Sequence, residues 1–389
     1  MGSITVVGNQ GWFTTFAGAT GGKGSLVRID LTPPYNLTNV YSFPYTNYIP
    51  PNYFGQGPKA TPVQIGQDLW FVTSQGGLGT TYGTIVKYSL ADNTLTNVFF
   101  LDQTNYGRQS FNTSLVKAGD SYYYLAFAGG TNTGFGTPNG AGVVGKLSFD
   151  NLNQPSVSAA SLPGRFISFP SSDPVFDGTN FLYFTTAGVS TNPGAIVRYN
   201  LTNGVFTSLF NFVSNAVAVT NYGKQPYGTP VLFSNELYFT TLAGGVIGKG
   251  VVAKLTLSNN SYTKLADLNG TGLGASPQYG GGTIYTNPVN GRIAIFFPIN
   301  LGGINNTGGN GTILRISFPP PILANLHKNI AGDVTLGWSG GYSPFAVDWR
   351  GSAAGGIWAS NWISDLYTNT IAIPNTNSES YYRVQGVVY

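Results

Sequence analysis

The sequence has few residues suited to acid–base or metal chemistry. Its only histidine is His327 and it has no cysteine, so a Ser-His-Asp triad, a His-ligated metal site and a thiol nucleophile all lack an essential side chain. Paired carboxylates can still hydrolyse a glycosidic bond, and the propeller candidates for such a pair are Asp102, Asp173 and Asp267. We nevertheless expect no catalytic residues, no cofactor and no metal site.

The sharpest local signal for binding is a short segment, Thr-Asn-Tyr-Gly-Arg/Lys-Gln, that begins at Thr104 and again at Thr220. A tyrosine beside amide and basic side chains can stack on a sugar ring and hydrogen-bond its hydroxyls, and the same set suits a protein interface. A structural brace between repeats is an equally open interpretation. Adding one tyrosine from the related segment 47–58, the predicted binding residues are Tyr53, Tyr106, Arg108, Gln109, Tyr222, Lys224 and Gln225.

These segments lie within a repeat. A pattern of one small residue, three alternating positions and a basic residue recurs six times, clearly as GTIVKYSL from Gly83 and GTILRISF from Gly311. The basic residues are Arg28, Lys87, Lys146, Arg198, Lys254 and Arg315, at spacings of 59, 59, 52, 56 and 61 residues. We interpret this basic position as solvated or paired between units rather than as a ring of cations for an anionic ligand.

Each repeat predicts four short strands, since apolar residues alternate with period two and turn residues separate the runs. The turns between the first and second strands carry Asp68, Asp120, Asp177 and Glu236, which we interpret as turn-forming. Four-stranded units repeated around a ring predict a six-bladed β-propeller over residues 1–318. The glycine-rich loops between second and third strands should project from one face. The sixth unit shows no obvious fourth strand.

Three prolines at 319–321 end the repeats. The segments DVTLGWS, FAVDWR, IAIP and SYYRVQGVV that follow predict short strands of a different texture. Residues 319–389 therefore read as a small immunoglobulin-like or fibronectin type III-like β-sandwich. The predicted fold class is all-β throughout.

Composition limits the partners. Only 8% of the residues are charged, against about 25% in average proteins. A polar but mostly uncharged surface is uncommon in the cytosol and suits an extracellular, cell-surface or virion protein. The net charge of +4 is dispersed, so we expect no nucleic-acid binding. No run of eighteen apolar residues occurs, so we expect no membrane insertion.

The repeats resemble a known family. The pattern of LWFVTSQGGLGTTYGTIVKYSL (69–90) and LYFTTLAGGVIGKGVVAKLTL (237–257) is similar to the GloVer tandem repeat of bacterial choice-of-anchor proteins. The resemblance covers about residues 1–318, and the tail resembles the small β-sandwich that closes many such proteins. It implies an exported surface protein without a known catalytic residue set, so no functional position is carried over.

The sequence therefore predicts a non-catalytic structural or adhesion protein, extracellular or on a virion, that acts through repeated protein–protein contacts. Its expected partners are further copies of itself or other surface or virion proteins, with a glycan as a further candidate. The alternative is a carbohydrate-binding, lectin-like propeller. A polysaccharide hydrolase or lyase is third.

Overall fold

The structure is a computed structural model. It describes residues 3–44, 54–77, 82–110, 113–134, 137, 139–188, 193–215, 217, 222–278, 280–289, 291–303, 311–318, 322–328, 334–341, 345–350, 359–373 and 381–386. The chain divides into two compact units, one of residues 1–283 and 297–314 and the other of residues 284–296 and 315–389. The fold is all-β, as predicted.

Small sheets follow one another along the repeats, and in each the strands pair with their neighbours in sequence. Sheet one contains β1 (Thr5–Val7), β2 (Gln10–Thr15), β3 (Ser25–Asp30) and β4 (Leu37–Ser42). Sheet two contains β5 (Gln56–Pro58), β6 (Val63–Ile65), β7 (Asp68–Gln75), β8 (Thr84–Ser89) and β9 (Leu95–Phe100), with β5 and β6 both paired to β7. Sheet three contains β10 (Val116–Ala118), β11 (Ser121–Ala126), β12 (Val143–Phe149) and β13 (Pro155–Ser161).

The later repeats continue the series. Sheet four contains β14 (Val175–Phe176), β15 (Phe181–Thr186), β16 (Ala195–Asn200) and β17 (Phe206–Asn211). Sheet five contains β18 (Val231–Phe233), β19 (Glu236–Thr240), β20 (Val251–Thr256) and β21 (Ser261–Asp267). Sheet six has three described strands, β22 (Thr283–Thr286), β23 (Ile293–Ile299) and β24 (Thr312–Ser317). The sequence likewise shows no obvious fourth strand in this repeat.

The glycine that opens each third strand has a steric reason. Gly83 adopts φ +95°, and a Cβ there would lie 2.2 Å from the carbonyl oxygen of Thr73. Only glycine fits such a close backbone approach at positive φ. The small residue at the head of each repeated motif is therefore fixed by backbone geometry.

Apolar clusters join consecutive sheets. Between sheets one and two, the rings of Trp12 and Tyr88 lie 5.6 Å apart, in a cluster with Leu26 and Phe71. Three further clusters join sheets two and three, three and four, and four and five. Burying each such side chain contributes about 1.5–3 kcal/mol. The junctions between sheets are therefore the core of the first unit.

The second unit contains two three-stranded sheets. One has β25 (Leu323–Lys328), β26 (Val334–Ser339) and β29 (Thr370–Ile373), and the other has β27 (Phe345–Arg350), β28 (Ala359–Leu366) and β30 (Tyr381–Gly386). Leu336 and Trp338 of the first sheet share a buried cluster with Phe345 and Val347 of the second. The two sheets thus pack face to face around one core.

Candidate functional site

The predicted binding segments lie between the fourth strand of one sheet and the first strand of the next. Arg108 pairs with Ala128 as an isolated antiparallel bridge, and Lys224 pairs with Ala243 in the same way. Ala128 and Ala243 follow the second strands of sheets three and five. We call residues 104–109 and 222–225 the Tyr-Gly segments. Both are therefore held beside the glycine-rich loops that follow those second strands. Tyr53 lies outside the described residues.

Both tyrosines use their rings for packing. The ring of Tyr106 meets Phe99 edge-on at 4.7 Å, and that of Tyr222 meets Phe210 at 5.4 Å. Phe99 and Phe210 occupy the fourth strands of the preceding sheets. Tyr106 is half-buried, while Tyr222 keeps 39% of its surface exposed. Of the two, Tyr222 is therefore better placed to stack on a ligand.

A tyrosine hydroxyl from the neighbouring sheet bonds to the backbone of each of these tyrosines. Tyr124 Oη donates to the carbonyl oxygen of Tyr106 at 3.1 Å, and Tyr262 Oη donates to that of Tyr222 at 2.8 Å. Burial raises the pKa of Tyr124 and of Tyr262 above the ordinary range, so both hydroxyls keep their protons. Tyr124 and Tyr262 belong to different strands of their sheets. The same hydroxyl-to-backbone contact is thus made by a tyrosine of the second strand in one sheet and of the fourth strand in the other.

The glycine after each tyrosine allows a tight approach. Gly107 and Gly223 adopt φ +76° and +72°. A Cβ would lie 2.4 Å from the Cβ of Ala126 in the first case and 2.2 Å from Oγ1 of Thr241 in the second. Any side chain here would push the segment away from the sheet.

The two glutamines occupy a position that recurs with other residues. Gln109 and Gln225 have φ +55° and +56°, and Phe169 has φ +58°. The N–H of each donates across to the preceding sheet's loop, to the carbonyl oxygens of Tyr82, Pro193 and Ala141 respectively. Because phenylalanine makes the same bond as glutamine, the brace depends on the backbone. The amide side chains are not required for it.

Asp102 shapes the first Tyr-Gly segment. Its Oδ1 accepts from the N–H groups of Asn105 and Tyr106, and its Oδ2 accepts from Nδ2 of Asn105. Partial burial alone would raise the pKa of Asp102, but these hydrogen bonds outweigh it and lower the pKa. The carboxylate is a turn cap that stays charged near neutral pH.

The other two candidate acids lie in separate places. Asp267, at the end of β21, accepts from Lys264 Nζ at 2.8 Å and from the N–H of Val246 at 3.0 Å. Asp173 precedes β14 and accepts from the N–H and hydroxyl of Ser114. Each acid therefore has its own structural partners, and the structure does not bring Asp102, Asp173 and Asp267 together as a pair sharing a ligand.

Asp173 belongs to a chain of hydrogen bonds that the sequence did not reveal. The residue two positions before each first strand donates its N–H to the side-chain oxygen of the equivalent residue in the next sheet. The donors and acceptors are Ser3 to Thr61, Thr61 to Ser114, Ser114 to Asp173, and Asp173 to Thr229. A Pro-Val pair follows Thr61, Asp173 and Thr229 in the sequence, but only the fold shows that these positions touch.

Asp173 is the only acid among these linked positions. Burial raises the pKa of its carboxyl to about 6, against the opposing effect of the Ser114 hydrogen bonds. In sheet six the equivalent residue is Gly281, and a Cβ there would lie 2.9 Å from the Cβ of Thr229. The positions remain adjacent at that step, but glycine offers no side-chain acceptor.

The repeated basic position pairs within its own sheet. Lys87 Nζ lies 3.5 Å from Asp68 Oδ2, and Lys254 Nζ lies 2.7 Å from Glu236 Oε1. The expected pairing between units is therefore not what these two residues make. The cause is the antiparallel register, which places the third strand's basic residue beside the acid that opens the second strand.

The described part of the chain contains neither a metal-binding cluster nor a membrane-spanning helix. Among the described residues, no group of three or more His, Cys, Asp or Glu side chains is arranged to hold a metal ion. In that same part of the chain, no helix has the length and apolar character needed to cross a bilayer.

No protein-family model matches this sequence, and no curated protein matches it either. Solved structures with a similar fold include TolB from Acinetobacter baumannii, with 14% identity, a TM-score of 0.37 and coverage of 80% of this chain. This chain spans 64% of that TolB chain. The N-terminal domain of Nup159 has 10% identity and a TM-score of 0.42, covering 85% of this chain and 84% of its own.

A third solved structure is a 6-phosphogluconolactonase candidate from Bacteroides uniformis. It has 12% identity and a TM-score of 0.41, and the match covers 94% of this chain and 98% of that one. With TM-scores below 0.5, these likenesses carry no information on the activity of this chain.

Proposed function

We propose that this chain is a non-catalytic structural or adhesion protein of an extracellular or virion surface, built as six propeller-type blades in an open series over residues 1–318 and an immunoglobulin-like sandwich over residues 319–389. It acts through repeated protein–protein contacts, including contacts with further copies of itself. The serial sheets and the hydrogen bonds that link their first strands support the blade arrangement. The separate structural roles of Asp102, Asp173 and Asp267 support a role without catalysis.

One observation carries the assembly proposal. Ile313 is 70% exposed, whereas Leu26, Ile85 and Ile196 at the equivalent positions of other sheets are fully buried. At the other end of the series, Ile4 is 54% exposed. Apolar side chains that are exposed where a neighbouring sheet covers their equivalents suit contact with a further sheet.

The partner that fits these surfaces is a second copy of the chain. From sheet one to sheet five, each sheet is packed on the next one in the series. The contact joins the face that carries Ile85 or its equivalent to the opposite face of the next sheet. Sheet six exposes the face that carries Ile313, the equivalent of Ile85. Sheet one exposes the opposite face. Contact between the two in different copies is heterologous, and it repeats from copy to copy into a ring or a filament.

Sedimentation and electron microscopy test the assembly. Between about 1 and 100 µM, a range typical of moderate protein affinities, the wild-type protein should gain mass with concentration. Ile313→Asp should keep it monomeric, because a charge in an apolar contact is costly. Leu152→Asp is the control, since Leu152 is 78% exposed and lies in the turn after β12, away from both end faces.

A wild-type protein that stays monomeric across the whole range would contradict self-assembly. Association that survives Ile313→Asp would show that the contact lies elsewhere.

Carbohydrate binding through the Tyr-Gly segments is the second candidate. The exposed fraction of Tyr222, 39%, favours it. Saturable glycan binding that is lost on Tyr222→Ala, with Tyr106→Ala as the half-buried comparison, would support it over assembly.

A further inference from the structure

A groove of about 520 Å³ lies between sheets two and three, at the edge formed by their strand-connecting turns. This edge is formed by connections between strands of one sheet, whereas the Tyr-Gly segments connect one sheet to the next. The volume lies within the range of about 300–1,000 Å³ that is usual for small-molecule sites. None of its lining residues belongs to the predicted binding set.

One wall of the groove is aromatic. Trp70 and Phe149 meet edge-to-face with ring centroids 5.3 Å apart, and Tyr122 meets Phe149 at 6.3 Å and 90°. Tyr122 and Phe149 are half-buried, so part of each ring faces the groove. Aromatic surfaces of this kind pack against the C–H face of a ligand ring.

Trp70 adds an unused hydrogen-bond donor. It lines the groove, is only 4% exposed, and its Nε1 has no hydrogen-bond partner. Leaving such a buried donor unpaired costs about 1–3 kcal/mol. A ligand hydroxyl that accepts from this N–H would recover part of that cost.

The repeat explains why the groove is present here. In the first junction, Tyr88 covers Trp12, the residue equivalent to Trp70. In sheet three, Leu147 stands at the position of Tyr88, two residues before Phe149. The ring that packs on Trp70 comes instead from Phe149, and the groove opens beside this pair.

The polar lining balances its charges. Asp68 and Lys87 form an ion pair at 3.5 Å on one side. Lys117 lies in β10 and Asp120 in the turn that follows it, both exposed, and Asn153 lies in the turn that follows β12. Two carboxylates, two ammonium groups and the amides of Gln67 and Asn153 supply donors and acceptors without net charge.

We propose that this groove binds a neutral saccharide. An uncharged ring with many hydroxyls matches an aromatic wall combined with balanced donors and acceptors, whereas a charged ligand would meet a like charge on either side. The sugar's C–H face packs on Tyr122 and Phe149, and its hydroxyls bond to Asp120, Asn153 and the Trp70 N–H. This site is separate from the assembly surfaces and does not depend on them.

Titration calorimetry of the full chain with neutral trisaccharides of glucose, galactose, mannose and N-acetylglucosamine tests the proposal. A galacturonic acid trisaccharide is the charged comparison. At least one neutral trisaccharide should bind saturably, and the acidic one should bind more weakly. Failure of all the neutral probes to bind would overturn the proposal.

Two variants locate the binding. Asp120→Asn keeps the shape of an exposed residue and should weaken binding about tenfold, through loss of a charged acceptor. Trp70→Phe removes the indole donor and should weaken binding by a similar factor. Trp12→Phe is the matched control, because it makes the same change at the equivalent residue that Tyr88 covers, and affinity should not change.

The outcomes are separable. Affinity that is unchanged in Asp120→Asn overturns this site, even if Trp70→Phe fails to fold. Binding that is lost on Tyr222→Ala but kept in Asp120→Asn would place the glycan on the Tyr-Gly segments instead. An assembling protein with no saccharide affinity would contradict this proposal and leave the assembly proposal standing.

Discussion

Ile85 and Ile313 belong to nearly identical motifs, GTIVK and GTILR, yet they have opposite surroundings. Ile85 of sheet two is fully buried against sheet three, while Ile313 of sheet six is 70% exposed. Both residues have similar sequence neighbours, and both lie near the start of the third strand of their sheet. A repeat cannot bury its own faces, so its stability comes from the neighbour that covers it. The contrast therefore separates the stability that a sheet has by itself from the stability that it gains by packing on the next sheet.

The largest expected effect comes from truncating both isoleucines. Ile85→Ala should lower the free energy of unfolding by about 2–5 kcal/mol, because it opens a cavity in a packed junction. Ile313→Ala should change it by less than about 0.5 kcal/mol in the monomer, as is usual for exposed positions. Urea unfolding at low protein concentration measures both.

Equal losses for the two variants would break the comparison. That result would mean that Ile313 is covered within a single chain, through contact between the last and first sheets, and that the series of sheets closes on itself.

The hydrogen-bond chain before the first strands offers a second contrast, between Asp173 and its uncharged equivalents Thr61 and Thr229. The carboxyl has a pKa raised to about 6 from an ordinary 3.8, mainly by burial. The folded protein therefore holds this proton up to about pH 6, whereas the unfolded chain releases it near pH 4. Stability contributed here is full below pH 4 and falls as the pH rises from 4 to 6.

Asp173→Asn should remove this pH dependence. We expect no change in unfolding free energy below about pH 4 and a gain that approaches about 3 kcal/mol above pH 6. Urea midpoints across this pH range measure the difference. A loss of stability at neutral pH would show that the charged carboxylate is needed by Ser114.

Asp102→Asn is the control of opposite sign. Hydrogen bonds lower the pKa of Asp102, so its charged form stabilises the fold above the unfolded pKa. The substitution should therefore destabilise the protein at neutral pH and have less effect in acid.

The smallest expected effects concern the repeated basic position. Lys254 lies 2.7 Å from Glu236, and Lys87 lies 3.5 Å from Asp68. Both pairs are partly exposed, so Lys254→Met should cost about 0.5–1 kcal/mol and Lys87→Met less than about 0.5 kcal/mol. The Lys254→Met loss should shrink in about 0.5 M salt, which screens exposed charges. A salt-independent loss would point to packing by the lysine stem.

The strands themselves were readable from the sequence. The runs ATPVQIG, LWFVTS, GTIVKYS and LTNVFFL correspond to β6, β7, β8 and β9, because period-two alternation and turn residues are local signals. The sequence shows no further alternating run before the prolines, and the described residues of sheet six form three strands. The all-β class followed from these local patterns.

The contacts of the predicted binding residues were not readable. Gln109 and Gln225 look like ligand-binding amides, but Phe169 occupies the same position and makes the same backbone bond. The basic position shows a similar limit, since the register within a sheet decides that Lys254 reaches Glu236. Neither the backbone bond nor the ion pair can be predicted from the sequence of a single repeat.

The sequence by itself determined the repeat, its strands, and the glycines that must sit where backbones approach closely. These follow from side-chain alternation and from steric limits on φ, which act within a few residues. Only the tertiary structure decided which equivalent side chains are covered. It links Thr61, Ser114, Asp173 and Thr229 across four repeats, opens a groove between sheets two and three, and leaves Ile313 exposed. Each of these depends on the residue supplied by a neighbouring sheet, more than fifty positions away in most cases, and local sequence carries no record of that neighbour.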